Sequence, residues 1–312
     1  MRIAAIFPGQ GSQFVGMGGD IVEASEAAAD IFARARRVLG YDLLAMTRRG
    51  PEGRLTETRF AQPAIFVTNV ALYAALGERI APVVSAGHSF GEYCSLVISE
   101  ALTFEHALAL VQARGVAMQE AASLARGGMA AVLGLDEAPL REVVARARAE
   151  SGRVQLANFN APGQIVVSGD ADAVRRAGEL AMAAGAKRVV ALNVSGAWHS
   201  ELMEPALQTF APVVAAATIA LPKFTVVSNV DGQPYRDVAT IRANLVRSVT
   251  GEVLWHQAML RLLGERPELI VEFGAQAVVA PLAKRLPGAP PVMHVGDSAG
   301  AAKLLSALGA PV

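Results

Sequence analysis

The chain is 312 residues long, 53% hydrophobic and 18% charged, with 28 Lys and Arg balancing 28 Asp and Glu. That length and apolar content suit one large domain, or a large domain carrying a smaller one, and zero formal charge gives no reason to expect nucleic acid or an anionic membrane surface as a partner. A single cysteine, Cys94, excludes an internal disulfide framework, fits a reducing cytoplasm, and reads as a small apolar filler.

The N-terminus lacks the shape of a signal peptide. Two uncharged stretches, 60–77 and 205–222, contain prolines and polar side chains and are not credible membrane spans.

Arg2 to Phe7 predicts a short strand running into Pro8-Gly9-Gln10-Gly11-Ser12-Gln13. A glycine-rich loop at a strand's carboxyl end is where α/β sheets place ligands, but this one has neither P-loop nor dinucleotide spacing. Gln10 or Gln13 is then an amide donor to a developing oxyanion, or the loop is a simple turn.

Helices are expected over Gly19–Leu39, Leu43–Arg48 and Ala64–Leu76, the last opened by Ala61-Gln62-Pro63. An apolar strand, Pro82–Ala86, then enters Gly87-His88-Ser89-Phe90-Gly91, and a helix begins at Glu92. Glycines two residues either side of a serine suit a sharp strand-to-helix elbow that holds the hydroxyl clear of the sheet. The following helix aims free N–H groups at the place where an oxyanion would form. Ser89 is therefore the candidate nucleophile, and His88, pointing the other way along an extended segment, is a packed histidine and not its base.

Phe104–Leu124 reads as a long helix with Arg114 in an otherwise apolar middle. An isolated buried guanidinium is costly, so Arg114 is either half of a structural ion pair or a fork for a substrate carboxylate. After Ala125-Arg126-Gly127-Gly128 the pattern runs strand Met129–Leu135, helix Glu137–Ala149, strand Val154–Phe159, strand Ile165–Ser168, helix Ala171–Ala184, strand Lys187–Val194. This βαββαβ order is that of a ferredoxin-like module.

The main domain resumes at Ser195-Gly196-Ala197-Trp198-His199-Ser200. With an unmatched serine needing a base, His199 outranks His106, His256 and His294. Strands follow at Phe224–Asn229 and Leu269–Phe273, and the rest is expected to be helical around a link at 287–291. The predicted fold is α/β: a large α/β-hydrolase-like domain (1–126 and 195–312) with a parallel sheet and nucleophile elbow, plus an inserted ferredoxin-like domain (127–194).

The segments FPGQGSQ (7–13), AQPA (61–64), GHSFGE (87–92), QARG (112–115), NFNAPGQIVVSG (158–169), SGAWHS (195–200) and SNV (228–230), in that order, resemble the malonyl-CoA:acyl-carrier-protein transacylases of fatty acid synthesis and the acyltransferases of polyketide synthases. The match extends to freestanding, trans-acting acyltransferases through GGMAAV (127–132) and LGLD (133–136).

The resemblance implies ping-pong transfer of a malonyl group from malonyl-CoA to the phosphopantetheine thiol of an acyl carrier protein, with Ser89 as nucleophile and His199 as base. It further implies Phe90 N–H and Gln10 as oxyanion donors, Arg114 as the malonyl carboxylate clamp, and no bound metal or other cofactor. A cytoplasmic monomer with a carrier-docking groove between its domains is expected. Where the family has P-V-x-W, this chain has Thr250-Gly251-Glu252-Val253-Leu254-Trp255, which points to the Ser248 carbonyl as the group orienting His199. Trp198 precedes that histidine and leaves little room at the malonyl C2, which implies malonyl over methylmalonyl. The alternatives are an acyl-carrier-protein hydrolase, disfavoured by Arg114, and transfer of a bulkier acyl group between carriers.

Overall fold

The computed structural model describes residues 1–309. In chain order its strands are β1 (Ile3–Phe7), β2 (Pro82–Gly87), β3 (Gly127–Leu133), β4 (Val154–Ala161), β5 (Gln164–Asp170), β6 (Arg188–Ala191), β7 (Thr225–Val227), β8 (Leu269–Phe273) and β9 (Val292–Val295). They form a five-stranded sheet in the order β7-β2-β1-β8-β9 and a four-stranded sheet in the order β4-β5-β3-β6.

Every pairing in the larger sheet is parallel. Parallel strands are covered on both faces and read as unbroken apolar runs, and β1 and β8 are buried at every residue. Alternate β1 side chains feed separate cores: Ile3, Ala5 and Phe7 join one, Ala4 and Ile6 the other. β1 pairs with β2 on one side and β8 on the other, so strand order reverses beside it. The reversal falls between β1 and β8, at the carboxyl end of β1, and because β2 ends beside β1 the loops after both strands meet at that edge of the sheet.

The smaller sheet is antiparallel throughout. One face packs on its own helices, Glu137–Ser151 and Ala171–Ala183, through Val132, Leu156, Val167, Leu140 and Ala177. The opposite face sends Met129, Ala157 and Val166 into the core of the larger unit. Two main-chain hydrogen bonds, Phe159 N–H to Val253 O and Val253 N–H to Ala157 O, both 2.8 Å, stitch β4 to the returning chain.

Several expected elements differ in detail. The first helix is two, Gly19–Ala24 and Glu26–Leu39, because Ser25 is extended and caps the second by accepting from Ala28 N–H. The helix expected from Ala64 runs Thr58–Ala74 with Pro63 inside it. It starts earlier because Gln119 Oε1 accepts from Thr58 N–H at 2.9 Å, supplying a cap from another element. The strand expected to reach Val194 ends at Ala191. The C-terminal region is not otherwise all helical: β9 is a four-residue edge strand after Pro290-Pro291, too short to stand out by period. Among the described residues no helix is long and apolar enough to cross a membrane.

Candidate active site

Ser89 sits two residues after the end of β2 with φ 52°, a left-handed conformation in which a side-chain-bearing residue is strained. The flanking glycines make that turn possible. A Cβ on Gly87 would lie 2.0 Å from Gly91 C, and one on Gly91 would lie 2.7 Å from Phe7 O. Asn229 Nδ2 donates to the Ser89 carbonyl at 3.2 Å and to Glu92 Oε2 at 2.5 Å, while the Tyr235 hydroxyl donates to Glu92 Oε1. The elbow is thus held from beneath by a buried carboxyl group, whose pKa burial pushes up to about 7.

His199, 110 residues downstream, brings Nε2 to 2.8 Å from Ser89 Oγ. It too has a positive φ, 59°, and is 4% exposed. Its other ring nitrogen meets the Gly251 carbonyl at 3.2 Å, so Nδ1 carries the proton and Nε2 accepts from the serine hydroxyl. Burial first, then the Arg114 charge and His88, push its pKa down to about 3, so the resting imidazole is neutral.

The group that accepts from Nδ1 at 3.2 Å is the Gly251 carbonyl, and the Ser248 carbonyl, expected to orient this histidine, is a second and weaker main-chain acceptor that also favours its protonated form. Ser248 is the right-handed cap of the helix Val238–Arg247, whereas Gly251 closes the next turn through its N–H to Arg247 O, leaving its own carbonyl free for the ring.

Arg114 is 1% exposed and donates from Nη2 to Ser89 Oγ at 3.4 Å. Among the described residues no carboxylate lies within ion-pair distance of it, and its Nε is buried without a partner. Of the two readings the sequence left open, the structural ion pair is absent. An unpaired buried guanidinium beside a serine–histidine pair is a ready receptor for an anionic group.

Gln10 lies at the carboxyl end of β1, lining the same cavity, but its side-chain amide donates to Thr58 Oγ1 at 3.1 Å. The amide expected to face an oxyanion is thus engaged elsewhere. The main-chain N–H groups of Gln10 and Phe90 have no acceptor among the described residues. Gln13 Oε1 accepts from Gly11 N–H at 2.8 Å and shapes the loop.

The cavity, about 270 Å³, lies between the two sheets. Trp198, 5% exposed, forms part of its wall and packs over Gly196, where a Cβ would meet the ring at 2.7 Å. His88 is half-buried, bonds Asn160 Oδ1 through Nε2 at 2.9 Å and lies 5.5 Å from the Trp255 ring, consistent with a packed histidine. Cys94 is buried, with its thiol pKa pushed up by burial. Among the described residues no group of three His, Cys, Asp or Glu side chains is placed to hold a metal ion.

Sequence reasoning missed Gly251, Asn160 and Gln62. Gln62 is 1% exposed and lines the cavity, and its buried carbonyl oxygen has no hydrogen-bond partner among the described residues. A glutamine one residue before a proline in an apolar helix was a signal, since buried amides need partners. Gly251 and Asn160 carried no such mark.

The chain matches the family model described as acyl transferase domain over residues 5–285. It is 40% identical over 286 residues to the malonyl CoA-acyl carrier protein transacylase of Bacillus subtilis, covering 91% of this chain and 90% of that one. It is also 40% identical over 292 residues to the polyketide biosynthesis protein ThaF of Burkholderia thailandensis, covering 91% of this chain but 24% of that longer protein. Among solved structures, a type II polyketide synthase acyl-carrier protein in complex with its malonyl-transacylase gives a TM-score of 0.94 at 36% identity, covering 98% of this chain and 100% of the other. The acyl carrier protein S-malonyltransferase of Vibrio cholerae gives 0.92 at 36%, covering 97% and 100%.

Proposed function

The chain belongs to the acyl transferase domain family, and from that premise we propose that it moves a malonyl group from malonyl-CoA to the phosphopantetheine thiol of an acyl carrier protein. The observation that carries the reading is an unpaired, buried Arg114 within 3.4 Å of a serine hydroxyl that itself meets a neutral imidazole at 2.8 Å.

Ser89 Oγ attacks the thioester carbonyl while its proton passes to His199 Nε2. The tetrahedral oxygen is received by the main-chain N–H groups of Phe90 and Gln10, a kind of contact whose loss typically costs about 10²–10³ in rate. The C–S bond breaks, the CoA sulfur takes the proton back from His199, and malonyl remains esterified to Ser89. A carrier thiol then gives its proton to the same Nε2, attacks the ester, and Ser89 leaves reprotonated. Gly251 holds Nδ1 protonated through both halves. Arg114 pairs with the free carboxylate, and Trp198 narrows the space at C2, favouring malonyl over methylmalonyl.

The same reading assigns residues 1–126 and 195–312 to an α/β-hydrolase-like catalytic domain and 127–194 to a ferredoxin-like one. The 4-1-3-2 order of β6-β3-β5-β4 along the small sheet supports the latter.

Intact mass after brief incubation with malonyl-CoA tests the reaction. The wild type should gain a malonyl adduct that Ser89→Ala lacks and that a phosphopantetheinylated carrier removes. If only a neutral acyl group loads, or every adduct is lost to water before a carrier is added, the transferase reading falls and hydrolysis takes its place.

A further inference from the structure

We propose that Gln155, on β4 of the small unit, is a positioning residue that sets His199, an inference that rests on the reading of Ser89 and His199 as the reacting pair. Its amide nitrogen donates to two main-chain carbonyls, those of His199 and Thr250, each at 3.2 Å. Its carbonyl oxygen accepts from Glu201 N–H at 3.0 Å. Two acceptors and one donor around the amide permit only this orientation, because the flipped group would face N–H with N–H and C=O with C=O.

These partners lie on the two segments that build the base. Residues 199–201 carry the imidazole, and residues 250–251 carry the carbonyl that fixes its tautomer. No hydrogen bond among the described residues joins these segments to each other except through the His199 ring and Gln155. His199 also holds a left-handed φ of 59°, a conformation that a non-glycine residue keeps only when its surroundings over-determine it. Gln155 supplies that determination from the opposite unit: it pins the carbonyl of the strained residue, and pins the peptide preceding Gly251. It touches neither substrate space nor Ser89, and does not line the catalytic cavity.

Removing the amide should let the two segments separate and the ring leave the 2.8 Å contact with Ser89. A misplacement of about 1 Å costs on the order of 10²-fold in a step needing near-attack geometry, so the loss belongs in kcat for acylation and not in KM.

The test uses Gln155→Leu, which removes all three bonds, and Gln155→Glu, which keeps the acceptor for Glu201 and removes the donors. Acylation by malonyl-CoA is followed by rapid-quench mass spectrometry and normalised to folded protein from thermal melts. Both variants should lose about 10- to 100-fold in kcat with KM within about twofold of wild type. In ¹⁵N-histidine spectra, the His199 ring, assigned by its loss in His199→Ala, should move from a single Nδ1–H tautomer toward a mixture. Wild-type kcat in folded Gln155→Glu with an unshifted tautomer overturns the proposal, as does a rate loss fully explained by unfolding. A wild type that fails to load malonyl, with the tautomer still shifting on substitution, removes the proposed substrate and leaves the positioning role standing.

Discussion

Replacing Arg114 with methionine, similar in reach but uncharged, should change both the substrate and the pH profile. Arg114 Nη2 and His199 Nε2 each contact Ser89 Oγ, at 3.4 and 2.8 Å, so the two charges approach within about 6 Å when the imidazole is protonated. At an effective dielectric of about 20 their repulsion is roughly 3 kcal/mol, or about two pH units. Arg114 is the second cause, after burial, of a His199 pKa near 3. Its removal should raise the acidic limb of acylation by about two units, so that activity toward a neutral acyl-CoA, flat in the wild type from pH 5 to 8, begins to fall near pH 5.

Malonyl loading should fall at the same time. Leaving one member of a buried charge pair unpartnered costs about 3–5 kcal/mol, which is two to nearly four decades in kcat/KM, while acetyl-CoA loading is retained or increased. Rapid-quench intact mass with both esters across pH 4.5–8 measures all of this. Malonyl loading within tenfold of wild type would sink the clamp, and an unmoved acidic limb would sink the electrostatic link between the two side chains.

Glu92 gives a stability prediction of defined sign. Its folded pKa, raised by burial to about 7, lies above the ordinary 4.5, so its contribution is full below pH 4.5 and is lost as pH rises through 7. Glu92→Gln keeps the contacts to Asn229 and Tyr235 without the charge; its melting temperature should lose the decline between pH 4.5 and 7 that the wild type shows, a difference of roughly 3 kcal/mol at pH 8. Gly91→Ala forces a Cβ to 2.7 Å from Phe7 O and 2.8 Å from Pro8 O, and chemical denaturation should show a loss above about 4 kcal/mol, because backbone on both sides must move. Trp198→Phe opens the cavity wall, and the ratio of methylmalonyl to malonyl loading should rise about tenfold or more, the worth of one methylene in a hydrophobic pocket; equal loading of the two esters by the wild type would remove Trp198 from the selectivity argument.

The residues most legible in the sequence are those whose local chemistry is conspicuous without neighbours. Ser89 lies between two glycines after an apolar strand, and Arg114 is a charge in an apolar helix; both signals come from a mismatch between a residue and its setting. His199 could be chosen once a serine needed a partner. Gly251 was not legible, because any residue offers a carbonyl and only the turn after Ser248 decides which one faces the ring. Gln155 occupies a half-buried strand position where a polar side chain is ordinary, and its three partners are 44 to 95 residues away. Pro63 misled for a related reason. Proline argues for a helix start, but Gln119, on the helix Phe104–Leu124, supplies the cap that lets the turn before it form.

The two hydrogen bonds between Val253 and β4 flank Asn158, which lines the space beside Ser89, so one edge of that slot is sewn shut. Lobes that gape to admit a bulky acyl chain must first break that seam. Anything that delivers an acyl group must reach down by the length of its own arm, while the rest of the donor stays outside at the rim.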